Sequence, residues 1–322
     1  MRKLTVVLAA LSVGLAGVAA AAGAASVKIT PLGTHDGELC DADRALILED
    51  PDGARLLYDA GRSVRGADDP RLGKLDAVLL THVHADHLGD AHQAEANAGE
   101  CAKPEFAVKA TPNSNTVNIV LAKKAKFLLG GEMPAFFGAR LKELGGDAAQ
   151  VQPLRFGAST KVGGVTVASV PAVHSNGLAP IFLSAEHAAA LAAAGLTAYV
   201  GPAGGYVVQF TNGLVVYLSG DTGVTAEQEL VVRKLYRARL AVMNIGGTFT
   251  TGPAEAAHVI NDLVKPAAVI PSHVNEAATK NGKLLPGTKT AAFKKAVKVP
   301  VHLPLSGKTM EFNGSGRCVA GC

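Results

Sequence analysis

Thr81-His82-Val83-His84-Ala85-Asp86-His87-Leu88-Gly89-Asp90 places three histidines and an aspartate within six positions. From the histidine content, a chance His-x-His-x-Asp-His is expected in about one chain in a few thousand, so a solvated polar turn explains it poorly. His82 and His84 alternate from one backbone face and can reach a single cation. Asp86 and His87 fall on the following turn and can reach a second. Imidazole together with carboxylate suits zinc, iron or manganese.

Two cations need more ligands than this run supplies, and three residues downstream fit the need. His174 follows the apolar stretch 165–170, Asp221 sits in Leu218-Ser219-Gly220-Asp221-Thr222, and His273 sits in Val269-Ile270-Pro271-Ser272-His273. Each alone is more often a structural residue or a cap. Together, and in that order, they make a ligand set the better reading. Each lies just past a stretch that reads as a strand, as does Asp59 after 55–58. In α/β proteins ligands gather outside the carboxyl ends of strands.

Working outward, short β-branched runs alternate with Ala-rich helical stretches and Gly-rich turns, which is the pattern of an α/β protein. Strands are expected at 26–30, 45–49, 55–58, 77–80, 165–170, 206–210, 214–218, 240–244 and 268–270. Helices are expected at 90–98, 134–144, 185–194, 226–234 and 253–263, the last begun by Thr251 and Gly252 before Pro253. No internal repeat interrupts the chain. With 322 residues, no Trp and few aromatics, its core must be packed from Val, Leu and Ala.

The N-terminus reads as an export leader. Arg2 and Lys3 precede an apolar run over 4–20, and small residues at 21–25 offer a cleavage point. The alternative is a membrane anchor, but the run is dominated by Ala and Gly and lacks a second basic flank. The expected organisation is a signal peptide over 1–25 and one domain over 26–322, located in the periplasm or secreted. Without Arg2 and Lys3 the formal charge falls from +4 to +2, which calls for neither nucleic acid nor an acidic membrane surface. Four cysteines in an exported chain suggest two disulfides, and the preferred pairing is Cys40 with Cys101 and Cys318 with Cys322. The oligomeric state has no sequence signature here.

These residues resemble the metallo-β-lactamase superfamily, which carries His-x-His-x-Asp-His followed by His, Asp and His. The resemblance covers nearly all of the chain beyond the leader, and Leu56-Leu57-Tyr58-Asp59-Ala60-Gly61 is similar to the superfamily's early Asp-containing turn. Asn244-Ile245-Gly246-Gly247-Thr248-Phe249-Thr250-Thr251-Gly252-Pro253, with Glu255-Ala256-Ala257, is similar to the branch holding ascorbate-6-phosphate lactonase and many metal-dependent hydrolases. The chain departs from that branch in having Val274-Asn275 after the last His and a more elaborate loop over 33–40.

The resemblance implies a four-layer αββα sandwich with two divalent ions, zinc first, manganese or iron as alternatives. It implies that His82, His84 and His174 bind one ion and Asp86, His87 and His273 the other, with Asp221 between them. A hydroxide bridging the ions would attack a small-molecule substrate, Asp86 would assist in proton transfer, and Asp59 would support the ligand loop from behind. Ester or lactone hydrolysis is the leading expectation, followed by phosphodiester hydrolysis and then β-lactam hydrolysis. A closed, purely metal-binding protein is the non-enzymatic alternative. His35, Thr248 and Thr250 are candidate substrate contacts. His92, read as lying on the helix after the motif, is expected to be a surface residue and His258 a core or supporting one, while His187 and His302 lack a ligand context.

Overall fold

Aliphatic and β-branched runs become strands that assemble into two large sheets. The computed structural model describes Met1 and residues 25–322, so the expected leader over 1–25 lies outside the described residues except at its two ends. In chain order the first sheet takes β1 (Val27–Pro31), β2 (Leu46–Glu49), β3 (Arg55–Tyr58), β4 (Ala77–Leu80), β5 (Lys126–Leu129) and β6 (Val151–Pro153). The second takes β7 (Ser159–Val162), β8 (Val165–Pro171), β9 (Gly204–Gln209), β10 (Val215–Leu218), β11 (Leu240–Asn244) and β12 (Ala268–Ser272). The chain then returns to the first sheet as β13 (Met310–Phe312) and β14 (Cys318–Ala320).

The spatial orders are β6-β5-β4-β3-β2-β1-β13-β14 and β7-β8-β9-β10-β11-β12. Both sheets change from antiparallel to parallel pairing partway across: β3, β4, β5 and β6 run parallel in the first, and β10, β11 and β12 in the second. Alternation along each strand then decides the layers. Ala77 and Leu79 of β4 enter a central core with Val165 and Val167 of β8 and Leu240 and Val242 of β11. Val78 and Leu80 turn to the other face, beneath Val117, Val120, Phe137 and Leu141 of helices Asn115–Lys123 and Met133–Glu143.

On the far side, Val207, Tyr217, Ala241 and Val269 are covered by Ala256, Ala257, Val259 and Ile260. The result is a helix–sheet–sheet–helix sandwich, the four-layer αββα arrangement expected. Strands buried on both faces read as continuous apolar runs. Each fully buried Leu or Val contributes about 1.5–3 kcal/mol, against about 0–1 kcal/mol for an exposed ion pair, so apolar burial holds the layers together.

Several boundaries differ from expectation. Residues 90–98 are not a helix: Gly89 takes a left-handed conformation (φ 83°) and ends the single turn Ala85–Leu88, and the Asp90 carboxylate accepts from the Ala91 N–H. His92 therefore lies on a short strand, Ala91–His92, paired with Val108–Lys109, and is partly buried rather than a surface residue. Segment 253–263 begins as α-helix (Pro253–His258) and widens to a π-helical turn (Val259–Val264), and Gln228–Leu235 is π-helical too. Disulfides join Cys40 to Cys101 and Cys318 to Cys322. Among the described residues no helix is long and apolar enough to cross a membrane.

Candidate metal centre

The chain leaves β4 in extended form through Thr81 to His84 and then makes the turn Ala85–Leu88. Asp59, just past β3, supports this passage. Fully buried and in the left-handed region (φ 40°), it accepts from the Thr81 N–H at 2.9 Å and from the Thr81 hydroxyl at 2.8 Å, and its Oδ2 lies 2.8 Å from His87 Nδ1. Gly61 follows at φ 54°, where a Cβ would stand 2.5 Å from the Asp86 carbonyl; only glycine lets this turn press against the ligand turn.

These supports fix which ring nitrogens face inward. The Thr81 hydroxyl donates to Asp59, so it accepts from His82 Nδ1–H at 2.9 Å and leaves His82 Nε2 as a lone pair. His87 Nδ1–H donates to Asp59 in the same way and frees its Nε2. His84 is reversed: Nε2 lies 3.3 Å from Ser175 Oγ, and Nδ1 points inward.

Two clusters result. His82 Nε2 and His174 Nε2 lie 3.0 and 3.1 Å from His84 Nδ1. In the second, His273 Nε2 lies 3.1 Å from Asp86 Oδ2 and 3.0 Å from Asp221 Oδ2, and His87 Nε2 lies 3.3 Å from Asp221 Oδ1. Asp221 also reaches the first cluster, at 3.9 Å from His82 and 3.7 Å from His174. Within each cluster every candidate ligand atom lies within 4.8 Å of the others. A tetrahedral ion with bonds of about 2.0–2.1 Å holds its ligand atoms about 3.4 Å apart, so the spacing fits a cation. His87 Nε2 and Asp221 Oδ1 are buried with no hydrogen-bond partner, as atoms aimed at a cation would be.

The electrostatics of the clusters differ. Burial, reinforced by neighbouring histidines, pushes His82 well below its ordinary pKa, and burial lowers His84 and His174 as well. These three imidazoles are neutral at pH 7 and ready to donate a lone pair. Burial opposes charge on His87 too, but Asp221, Asp86 and Asp59 outweigh it and raise the pKa to about 10. For Asp86 and Asp221, burial is outweighed by His87, with Arg44 and His273 helping at Asp86 and His273 at Asp221, and both carboxyls lie far below the usual range.

Sequence reading missed Arg44, whose Nη2 donates to Asp86 Oδ2 and to Asn275 Oδ1, each at 2.9 Å. Arg44 ends a loop organised by Asp43, which accepts from the Thr34 N–H, the Thr34 hydroxyl and the Cys40 N–H. Burial raises the Asp43 pKa to about 6. Asn275 and His273 hold positive φ (51° and 47°), and the Lys289 ammonium clasps the carbonyls of Gly246 and Asn275 beside them. No local motif marks Arg44, though the unusual loop over 33–40 lies just upstream of it.

The clusters open into a cavity of about 430 Å³ whose wall includes Arg44, Arg62, Ser175, Phe249 and Asn275. His35, Thr248 and Thr250 are not on that wall. The His35 ring lies between Thr34 Oγ1 and the Gly99 carbonyl, Thr248 is exposed, and the Thr250 hydroxyl turns to the Thr251 carbonyl. His258, expected in the core or a supporting role, is exposed and pairs with Asp262. His187 is exposed. His302 stands near the paired sulfurs of Cys318 and Cys322.

A beta-lactamase superfamily domain matches residues 54–274, from the start of β3 to just past His273. A UPF0173 metal-dependent hydrolase of Cupriavidus necator is 33% identical over 75% of this chain and 71% of its own. Igni18, a metallo hydrolase from Ignicoccus hospitalis, superposes with a TM-score of 0.58 at 22% identity, over 89% of this chain and 99% of that one. The metallo-beta-lactamase fold protein YhfI of Bacillus subtilis superposes with a TM-score of 0.53 at 13% identity, over the same shares of each chain.

Proposed function

Because this chain belongs to the metallo-β-lactamase superfamily and is a metal-dependent hydrolase, we propose that it cleaves a small ester or lactone using two divalent ions. The observation that carries the proposal is the pair of ligand clusters sharing Asp221 and facing one cavity. His82, His84 and His174 would hold the first ion and Asp86, His87 and His273 the second, with the Asp221 carboxylate within reach of both clusters. Bound divalent ions supply Lewis acidity and an activated water near neutral pH. A purely structural metal protein would close its coordination sphere and need no adjoining cavity.

The chain's own groups do the rest. Asp86 gathers Arg44, His273 and His87 around Oδ2 and leaves Oδ1 to orient a water. The Ser175 hydroxyl and the Asn275 amide offer hydrogen bonds to a substrate carbonyl, and the exposed Phe249 ring adds an apolar surface to the wall. The ester or lactone preference rests on the likeness of the Asn244 to Ala257 segment to the lactonase-containing branch. Phosphodiester hydrolysis is the runner-up, since paired ions also clamp phosphoryl oxygens. Export to the periplasm or medium is part of the proposal and rests on the basic and apolar residues 2–25 with the two disulfides.

The test is a panel of lactones and simple esters beside phosphodiesters, with chelated protein and His84→Ala as controls. Lactone or ester turnover lost in both controls is the expected result. Phosphodiester turnover alone would transfer the protein to the runner-up class, and His84→Ala with full metal content and activity would remove the ligand assignment.

A further inference from the structure

Arg62 is the one charged group on the cavity wall that neither cluster uses and that ligand assignment does not explain. It follows Gly61, the glycine pressed against the ligand turn. Its Nε and Nη2 grip the Asp90 carboxylate at 2.6 and 3.0 Å, and its Cζ lies 5.8 Å from the centroid of the Phe106 ring. The plane of the guanidinium is thus fixed. Nη1 has no hydrogen-bond partner among the described residues, and the side chain remains 32% exposed. A guanidinium fixed on one edge and open on the other binds an oxyanion with little further loss of freedom.

Arg44 provides the contrast. Its side chain is only 7% exposed, and Nη2 is committed to Asp86 and Asn275, so it holds the wall in place rather than meeting a ligand. The wall's charges also matter. Arg44 and Arg62 stand against Asp86, Asp221 and Asp90, so a divalent cation in the clusters leaves this group net positive. Phe249, 75% exposed on its loop, contributes an apolar surface to the same cavity. A large exposed aromatic at a cavity mouth is a typical ligand-facing surface.

We propose that Arg62 anchors a fixed negative charge on the substrate, a carboxylate or a phosphate group, while the apolar part of the substrate rests on Phe249. This deepens the hydrolase reading and rests on it: the substrate is an anionic ester or lactone whose scissile carbonyl reaches the clusters while its charged end remains at Arg62. If Arg62 served only to tie down Asp90, its removal would affect charged and neutral substrates alike.

The experiment uses the full metal-loaded chain and three matched esters, ethyl pentanoate, monoethyl adipate and ethyl 4-phosphonobutyrate, with acid release followed by titration. In parallel, calorimetry measures the binding of benzoate and phenylphosphonate to the wild type, Arg62→Met and Arg62→Lys. A charge-assisted hydrogen bond is worth about 1.5–3 kcal/mol, so the wild type should favour a charged ester by about tenfold or more. Arg62→Met should collapse that preference mainly through KM and weaken binding of the matching anion by a similar factor. Arg62→Lys should retain part of both. Which charged ester leads distinguishes a carboxylate from a phosphate-type ligand.

Equal losses on neutral and charged esters in Arg62→Met, or a wild-type preference for ethyl pentanoate, overturn the proposal. Phenylphosphonate or benzoate binding that depends on Arg62, without turnover of any ester, would retain the anion site and remove the ester reading. Ester turnover with no charge preference would do the reverse.

Discussion

The two ligand clusters lie side by side yet are built on opposite principles. His82, His84 and His174 form a neutral set: burial strips their protons, and His84 and His174 are only partly buried. Asp86, His87, Asp221 and His273 form a charged set, backed by Asp59 on one side and Arg44 on the other. The first is prepared by desolvation and the second by mutual attraction of charges. The difference teaches that a single cavity can present two candidate cation sites of unlike character, one all imidazole and the other with two carboxylates added, each with its own supporting residues.

The strongest way to break this comparison is at Asp221, which touches both sets. Asp221→Asn should lower hydrolysis on the order of a thousandfold, the scale of removing a group that holds charge at a reacting centre. Metal analysis should show loss at both clusters; normal metal content would mean that Asp221 does not join them. Single-cluster variants come next. His84→Ala and His273→Ala should each lose about one ion per chain and about a hundredfold in rate, the upper range expected for disturbing a metal site. If either variant loses both ions, the clusters are not separable.

Asp59→Asn touches neither ion, yet His87 loses its carboxylate partner. Metal affinity should fall by about tenfold to a hundredfold, at the charged cluster in particular, as measured by competition with a chromophoric chelator. The smallest effect is on the pH dependence of metal-free protein. His87, raised from the ordinary 6.5 to about 10, contributes stability in full below pH 6.5 and loses it as pH rises through 10. His82 is shifted downward, so the unfolded chain takes up a proton below pH 6.5 that the folded chain refuses, and stability falls toward acid. The melting temperature of chelated protein should therefore peak near pH 6.5, the ordinary histidine value, and decline on both sides. A flat profile would mean that folding shifts neither histidine, and a profile that only rises or only falls would mean that the two share one environment.

Much of this was legible because the histidine-rich motif is local. Thr81 to Asp90 is one loop, and its spacing alone indicates cation chemistry. His174, Asp221 and His273 could be found because each follows an apolar run that becomes a strand, and strand ends converge in such folds. The wall of the cavity was harder to read. Arg44 reaches Asp86 from a separate loop, and Arg62 is an ordinary arginine in sequence until Asp90 fixes it. Thr248 and Thr250 were attractive as donors, but the turn puts Phe249 between them on the wall instead. The helix expected over 90–98 failed because Gly89 and the Asp90 carboxylate end it, a turn signal stronger than the apolar spacing beyond.

The ligand groups come from both sheets: His82 to His87 extend from β4, and His174, Asp221 and His273 follow β8, β10 and β12. A cation held there works as a rivet through two plates, joining parts of the chain far apart in sequence as the Cys40–Cys101 bond joins two loops. Binding that favours the folded state alone adds about 2.7 kcal/mol once the free cation reaches a hundred times its dissociation constant. The melting temperature of this protein is therefore also a gauge of the metal it carries, rising with the supply of cation.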